Sequence, residues 1–119
     1  MKILIADDSA FMRTILKDIV AKSKWAGAEI IEAADGNEVV AKFTAEKPDL
    51  VLLDIVMPEK DGIAALKDIG QAAKSVVIVS SVGQEQVIAQ AKGLGAKDYI
   101  VKPFDAQQVI NVLNTLLPA

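Results

Sequence analysis

The sequence predicts a doubly wound α/β fold, with five βα units around one parallel sheet and helices on both faces. Three observations carry that expectation. Short, apolar, branched runs alternate with longer amphipathic segments five times along 119 residues. The alternation is strict, and strands that return through helices make parallel sheets with right-handed crossovers. Three of the apolar runs end in charged groups, at Asp7-Asp8, Asp54 and Lys102. In open α/β sheets, ligands bind at the carboxyl ends of the strands.

The first strand is expected over Lys2–Ala6, which has the length and branching of a buried strand. Asp7-Asp8-Ser9 follows, and a helix is expected over Ala10–Lys24. Phe11, Ile15 and Ile19, and likewise Met12, Leu16 and Val20, recur there at helical spacing. Gly27 separates this helix from a second strand over Glu29–Ala33, and Gly36 precedes a helix over Asn37–Glu46 that Pro48 stops. Leu50–Leu53 is a wholly apolar third strand that delivers Asp54 into a loop containing Met57-Pro58. Gly62 opens a helix over Gly62–Gln71. A fourth strand over Val76–Ser80 leads to a helix over Gln84–Leu94, closed by Gly93 and Gly95. Tyr99–Val101 is the fifth strand and ends at Lys102-Pro103. A helix over Asp105–Leu116 completes the pattern, with Val109, Val112, Leu113 and Leu116 at helical spacing. Neither linker, repeat nor low-complexity segment interrupts residues 1–119, so one domain with one core and no output domain is expected.

Composition narrows the function classes. A chain that is 52% hydrophobic and 24% charged has globular rather than disordered composition. Thirteen basic against sixteen acidic residues leave a net charge of −3, and no Lys/Arg cluster forms a stripe for tracking phosphates, so direct nucleic-acid binding is not expected. Cys and His are both absent, which excludes disulfides, thiolate chemistry, His–metal sites and His acid–base catalysis. The opening run is cut by Asp7 and is too short for a signal-peptide core. No apolar stretch approaches the roughly 18 residues of a membrane span. A cytoplasmic protein with no membrane association is expected.

The three charged strand ends should converge at one edge of the sheet. Each has a plainer alternative. Asp7-Asp8 can be a solvated helix start, with Ser9 or Asp8 as the cap. Lys102 can be a surface lysine, although the residue before a proline is held extended, which fixes where it points. Ser80 can be a satisfied turn serine. Asp54 is harder to read as a cap, because it ends a nearly all-apolar strand and precedes a constrained loop. Three carboxylates with one ammonium call for a further cation, and the oxygen-rich set suits Mg2+.

The ordered set is what discriminates: an acidic pair after strand one, Asp after strand three, hydroxyl after strand four and Lys-Pro after strand five. In Ile5-Ala6-Asp7-Asp8-Ser9, Leu53-Asp54-Ile55-Val56-Met57-Pro58, Asp61-Gly62, Val79-Ser80-Ser81, Gly95-Ala96 and Tyr99-Ile100-Val101-Lys102-Pro103-Phe104, the chain resembles response-regulator receiver domains of two-component signalling. Among these it is most similar to the stand-alone chemotaxis regulators. The resemblance spans residues 2 to 116 and implies a flavodoxin-like sheet in the order 2-1-3-4-5. It implies that Asp54 is the phosphoacceptor, that Asp8 is a direct Mg2+ ligand, that Asp7 acts mainly through water, and that the Val56 carbonyl is a third protein ligand. It also implies that Ser80 moves toward the phosphoryl group, that Lys102 pairs with it through a segment whose Lys-Pro bond is usually cis, and that Tyr99 is an aromatic switch following Ser80.

Those roles agree with the chemistry of phosphoryl transfer, which needs in-line positioning and neutralised equatorial oxygens. A carboxylate nucleophile requires no general base, which fits a chain without His. The donor histidine would belong to a sensor histidine kinase or phosphotransfer protein. A downstream protein would dock on the face of helix four, strand five and helix five, with the regulator itself a monomer and no substrate turned over. Two features depart from the common family pattern. Val56 and Val82 stand where many members carry polar residues, and Ser80-Ser81 stands where Thr and a small residue are favoured.

Four rivals share part of the pattern. A receiver cut from a longer transcriptional regulator would read the same. An FMN-binding flavodoxin-like protein needs a hydroxyl- and glycine-rich loop after strand one, where Asp7-Asp8 would repel phosphate. A haloacid-dehalogenase-type phosphatase needs Asp-x-Asp after strand one and usually a cap insertion, and neither is present. A degenerate receiver serving as a scaffold would lack the complete site.

Overall fold

The structure is a computed structural model and describes residues 1–118, except for the side chain of Gln71. Ala119, the final residue of the expected 1–119 domain, lies outside the described residues. The elements run β1 (Lys2–Ala6), α1 (Ala10–Ala21), β2 (Glu29–Ala33), α2 (Gly36–Glu46), β3 (Leu50–Leu53), α3 (Gly62–Ile69), β4 (Val76–Ser80), α4 (Glu85–Gly93), β5 (Asp98–Val101) and α5 (Ala106–Leu116), with a 3-10 turn at Gly70–Ala72. The five strands are parallel and ordered β2-β1-β3-β4-β5. This is the doubly wound, flavodoxin-like arrangement expected from the alternation and the resemblance.

Two cores flank the sheet, and strand periodicity explains them, because successive side chains point to opposite faces. Ile3, Ile5, Leu50, Leu52, Val77, Val79 and Ile100 face α1 and α5, where Leu16, Val20, Val109 and Leu113 meet them. Leu4, Val51, Leu53, Val76 and Ile78 face α2, α3 and α4, against Val39, Phe43, Leu66, Ile69 and Ala91. The central strand β3 is buried along its whole length, which is why it reads as continuously apolar rather than alternating.

Side-chain caps set the helix starts. Ser9 caps α1 by accepting from the Met12 N–H at 3.2 Å, Asp35 caps α2, and Asp61 caps α3. Asp105 and Gln108 form a reciprocal capping box on α5, so that helix starts one residue after the expected Asp105. Helix α1 ends at Ala21 rather than Lys24. There the Ser23 hydroxyl donates to the Val20 carbonyl at 2.7 Å and accepts from the Trp25 N–H at 3.0 Å, which diverts the chain into turns. Helix α3 stops at Ile69 and tightens into the 3-10 turn. Strand β5 begins one residue early, because Asp98 pairs with Val77 in the β4 register. Gly95 has φ +112°, a left-handed conformation that closes the turn after α4. No helix among the described residues is long and apolar enough to cross a membrane.

Candidate functional site

The strand register brings the charged residues together. Ala6 pairs with Leu53, so Asp7 and Asp54 leave adjacent strands side by side. Ser80 pairs with Val101, so Lys102 begins one residue past the end of β5. Its long stem then reaches across β4. The Lys102 Nζ donates to Asp7 Oδ2 at 2.7 Å and to Asp54 Oδ2 at 3.2 Å. The Lys102-Pro103 peptide is cis, and the Lys102 N–H donates to the Ser80 carbonyl at 2.9 Å.

Both bridged carboxylates are almost fully buried, Asp7 at 2% exposure and Asp54 at 6%. Each is held from the backbone as well. Asp7 Oδ1 accepts from the Ser9 N–H at 2.9 Å, and Asp54 Oδ1 accepts from the Val56 N–H at 3.3 Å. Asp8 is exposed, and among the described residues no donor reaches its carboxylate. Ser9, not Asp8, caps the helix, so the capping alternative leaves the Asp8 carboxylate unclaimed. One oxygen from each of Asp7, Asp8 and Asp54 lies within 4.8 Å of the others. Three carboxylates against one ammonium leave two negative charges uncompensated in a partly buried site. An all-oxygen set with that excess fits a hard divalent cation such as Mg2+. The Val56 carbonyl in the same loop accepts no hydrogen bond among the described residues, so a cation can take it.

Burial alone would push the Lys102 ammonium down. The hydrogen bond to Asp7 and the charges of Asp54 and Asp7 outweigh burial, and the pKa stands above its usual 10.5. Lys102 therefore stays charged at neutral pH.

Gly62 fixes the back of the site. A Cβ there would meet the Asp54 carbonyl oxygen at 2.1 Å and the Ile55 Cα at 2.8 Å. The Gly62 N–H also donates to the Ile55 carbonyl at 2.8 Å. The start of α3 thus packs directly against the backbone that carries Asp54, a closeness only glycine permits.

Ser80 and Tyr99 lie beside this cluster. Ser80 is wholly buried, and its hydroxyl accepts from the Val82 N–H at 3.3 Å. The Tyr99 hydroxyl donates to the Val82 carbonyl, and its half-buried ring packs on the α2–α4 side core. Val82 therefore links both side chains through one peptide on each side of its Cα. Burial chiefly, then the Asp54 charge, raises the Tyr99 pKa above its usual 10.0. Val56 is 58% exposed and Val82 half-buried, and both lie in the loops around the cluster.

Sequence reasoning missed three features. Lys102 lies closer to Asp7 than to Asp54, and strand order carries no signal of which carboxylate is nearer. Val82 joins Ser80 to Tyr99 through its main chain, which side-chain identity cannot reveal. Arg13 reaches back from α1 to donate to the Asp7 carbonyl at 2.7 Å. No side-chain pattern signals that contact, because its acceptor is a main-chain carbonyl.

The chain matches the response regulator receiver domain family over residues 3–114. It is 46% identical to chemotaxis protein CheY of Bacillus subtilis, covering 98% of this chain and 97% of that protein. It is 45% identical to chemotaxis protein CheY of Thermotoga maritima, covering 95% and 94%. Among solved structures it resembles the CheX–CheY–BeF3–Mg2+ complex of Borrelia burgdorferi, with a TM-score of 0.89, 37% identity, and coverage of 99% of this chain and 90% of that one.

Proposed function

Since this chain belongs to the response regulator receiver domain family and is of the CheY type, we propose that it is a signalling switch activated by phosphorylation of Asp54. One observation carries the reading: a nearly buried carboxylate at the end of the central strand, within 3.2 Å of an ammonium and beside two further carboxylates. An isolated structural aspartate needs no such company.

In this reading an Asp54 oxygen attacks the phosphorus of a phosphohistidine on a sensor kinase or phosphotransfer protein. The P–N bond breaks, and the leaving imidazole takes its proton from solvent. Asp54 is the nucleophile, so no base in the chain is required. Asp8, Asp54 and the Val56 carbonyl, with Asp7 acting through water, would hold Mg2+, which would neutralise charge on the transferring group. Lys102 turns its ammonium from Asp54 onto a phosphoryl oxygen while Asp7 keeps hold of it. The Ser80 hydroxyl donates to another oxygen.

Readout follows from Val82. Drawing the Ser80 hydroxyl toward a phosphoryl group removes an acceptor from the Val82 N–H. The same residue's carbonyl holds the Tyr99 hydroxyl, so the β4–α4 loop and the ring move together. Two packings of that unit form a bistable element, and it faces α4, β5 and α5, the surface proposed for a downstream partner. The cytoplasmic, monomeric, chemotaxis-type assignment rests on similarity to the CheY proteins. A place within a longer regulator is the other reading, and 44% identity over 107 residues to a protein-glutamate methylesterase/protein-glutamine glutaminase of Caldanaerobacter subterraneus, of whose length the match spans 29%, supports keeping it.

Acetyl phosphate with Mg2+ should add one phosphoryl group to the protein, read by intact mass, and EDTA should abolish the addition. Multiple turnover of a phosphate ester, or no labelling at all, would overturn the proposal.

A further inference from the structure

Asp7 and Asp8 are adjacent in sequence but are held very differently. Asp7 is anchored at its N–H by the Ala33 carbonyl at 3.0 Å, and at its two carboxylate oxygens by Ser9 and Lys102. The Asp8 side chain has no donor among the described residues. What fixes its direction is the peptide joining it to Asp7, and the carbonyl of that peptide accepts from Arg13 Nη1 at 2.7 Å. Arg13 is itself oriented. Its Nε donates to Glu32 Oε1 on β2 at 3.0 Å, and its side chain is only 17% exposed. Glu32 also takes the Lys17 ammonium at 3.1 Å. Hydrogen bonds from Lys17 and Arg13 hold the Glu32 carboxyl below its usual range against the effect of burial.

We infer that Arg13 is a positioning residue for divalent-cation binding: it clamps the Asp7–Asp8 peptide so that the Asp8 carboxylate is presented toward Asp54. The inference rests on the functional reading above. The fork of a guanidinium suits this task, because one edge can pair with Glu32 while the other donates to a carbonyl. An ammonium on a flexible stem has no second fixed edge. Glu32 offsets the guanidinium charge, so the clamp does not compete with a cation for the carboxylates.

Charge and position make opposite predictions here. By Coulomb's law alone, deleting a positive group beside a cation site strengthens cation binding. Loss of a group that orients a ligand weakens it, with outer-sphere partners of metal ligands commonly worth 10-fold or more. Lys17 provides the control, since it shares Glu32 but makes no hydrogen bond or ion pair with Asp7 or Asp8 among the described residues.

The test is Mg2+ titration by calorimetry on the full chain, with thermal melting in EDTA alongside. Arg13→Ala should weaken Mg2+ binding by roughly 10-fold, Arg13→Lys should recover part of it, and Lys17→Ala should bind as the parent does or more tightly. Parental or tighter affinity in Arg13→Ala overturns the inference. So does equal weakening in Lys17→Ala, which would make α1–β2 docking the cause. If Arg13→Ala fails to fold, Arg13→Lys decides, since it keeps the charge but lacks the fork, and parental affinity there overturns the inference. A parent that neither binds Mg2+ nor labels with acetyl phosphate would refute the functional reading itself, and the inference with it. A parent that does both, beside an unaffected Arg13→Ala, refutes only the clamp.

Discussion

Substituting Gly62 by alanine adds one methyl group at the point where α3 meets the loop that carries Asp54. The new Cβ would sit 2.1 Å from the Asp54 carbonyl oxygen, 2.8 Å from the Ile55 Cα and 2.9 Å from the Asp54 carbonyl carbon. Ordinary contact begins at 3.4 Å, so helix and loop must separate by 1.3 Å (3.4 less 2.1). All three neighbours are backbone, so no side chain can swing aside. Either the Gly62–Ile55 hydrogen bond at 2.8 Å is lost or the Asp54 backbone moves. Overpacking of this kind costs about 3 kcal/mol, the upper end of the usual range. The functional loss should be larger than the stability loss suggests. Asp54 is set within 3.2 Å of the Lys102 ammonium, and a misplacement of about 1 Å in a reacting group can cost roughly 100-fold in rate. The assays are urea unfolding and the rate of acetyl phosphate labelling under conditions where Gly62→Ala remains folded. A variant that labels at the parental rate with stability within about 0.5 kcal/mol of the parent would show that α3 does not set the position of Asp54.

Three further outcomes are expected. Lys102 and Tyr99 both have raised pKa values in the fold, so their contribution to stability is fully present below about pH 10 and is lost as pH rises through the folded values. Urea unfolding between about pH 8 and 11 should show this loss. Lys102→Met should be about 3 kcal/mol less stable at the lower end, because two buried carboxylates lose their partner, and should show a flatter alkaline slope. Val56→Asn should speed decay of the phosphorylated protein by about 10-fold, or 1.4 kcal/mol of barrier, because an amide can hold a water in line where valine cannot. Val82→Gln should modulate the same decay after acetyl phosphate is removed, and decay of Val56→Asn no faster than the parent would clear the valines of setting lifetime. Beryllofluoride with Mg2+ should shift amides across residues 80–102, and shifts confined to residues 7–8 and 54–58 would contradict the coupling through Val82.

Much of the fold was legible because burial leaves its mark on composition. The expected bounds of β1, β2, β3 and β4 match the structure: β1, β3 and β4 are mainly apolar runs closed by polar or turn residues, and β2, with Glu29 and Glu32 in it, is set off by Gly27 and Gly36. Helix ends were less legible. They depend on local hydrogen bonds, such as the Ser23 hydroxyl that halts α1, and apolar periodicity continues past such a point. The convergence of Asp7, Asp54 and Lys102 could be foreseen from their places at strand ends. The contacts of Arg13 and Val82 could not, because both involve main-chain carbonyls, and a carbonyl's direction is fixed only once the backbone is built.

The central claim is that one carboxylate, Asp54, receives the phosphoryl group. Incubating the protein and its Asp54→Asn variant with acetyl phosphate and Mg2+, followed by intact mass and peptide mapping, tests it directly. The parent should gain one phosphoryl group on the peptide containing Asp54, while Asp54→Asn, with its fold intact by circular dichroism, should gain none. Equal labelling of the variant, or a label on Asp7 or Asp8 in the parent, would contradict the account.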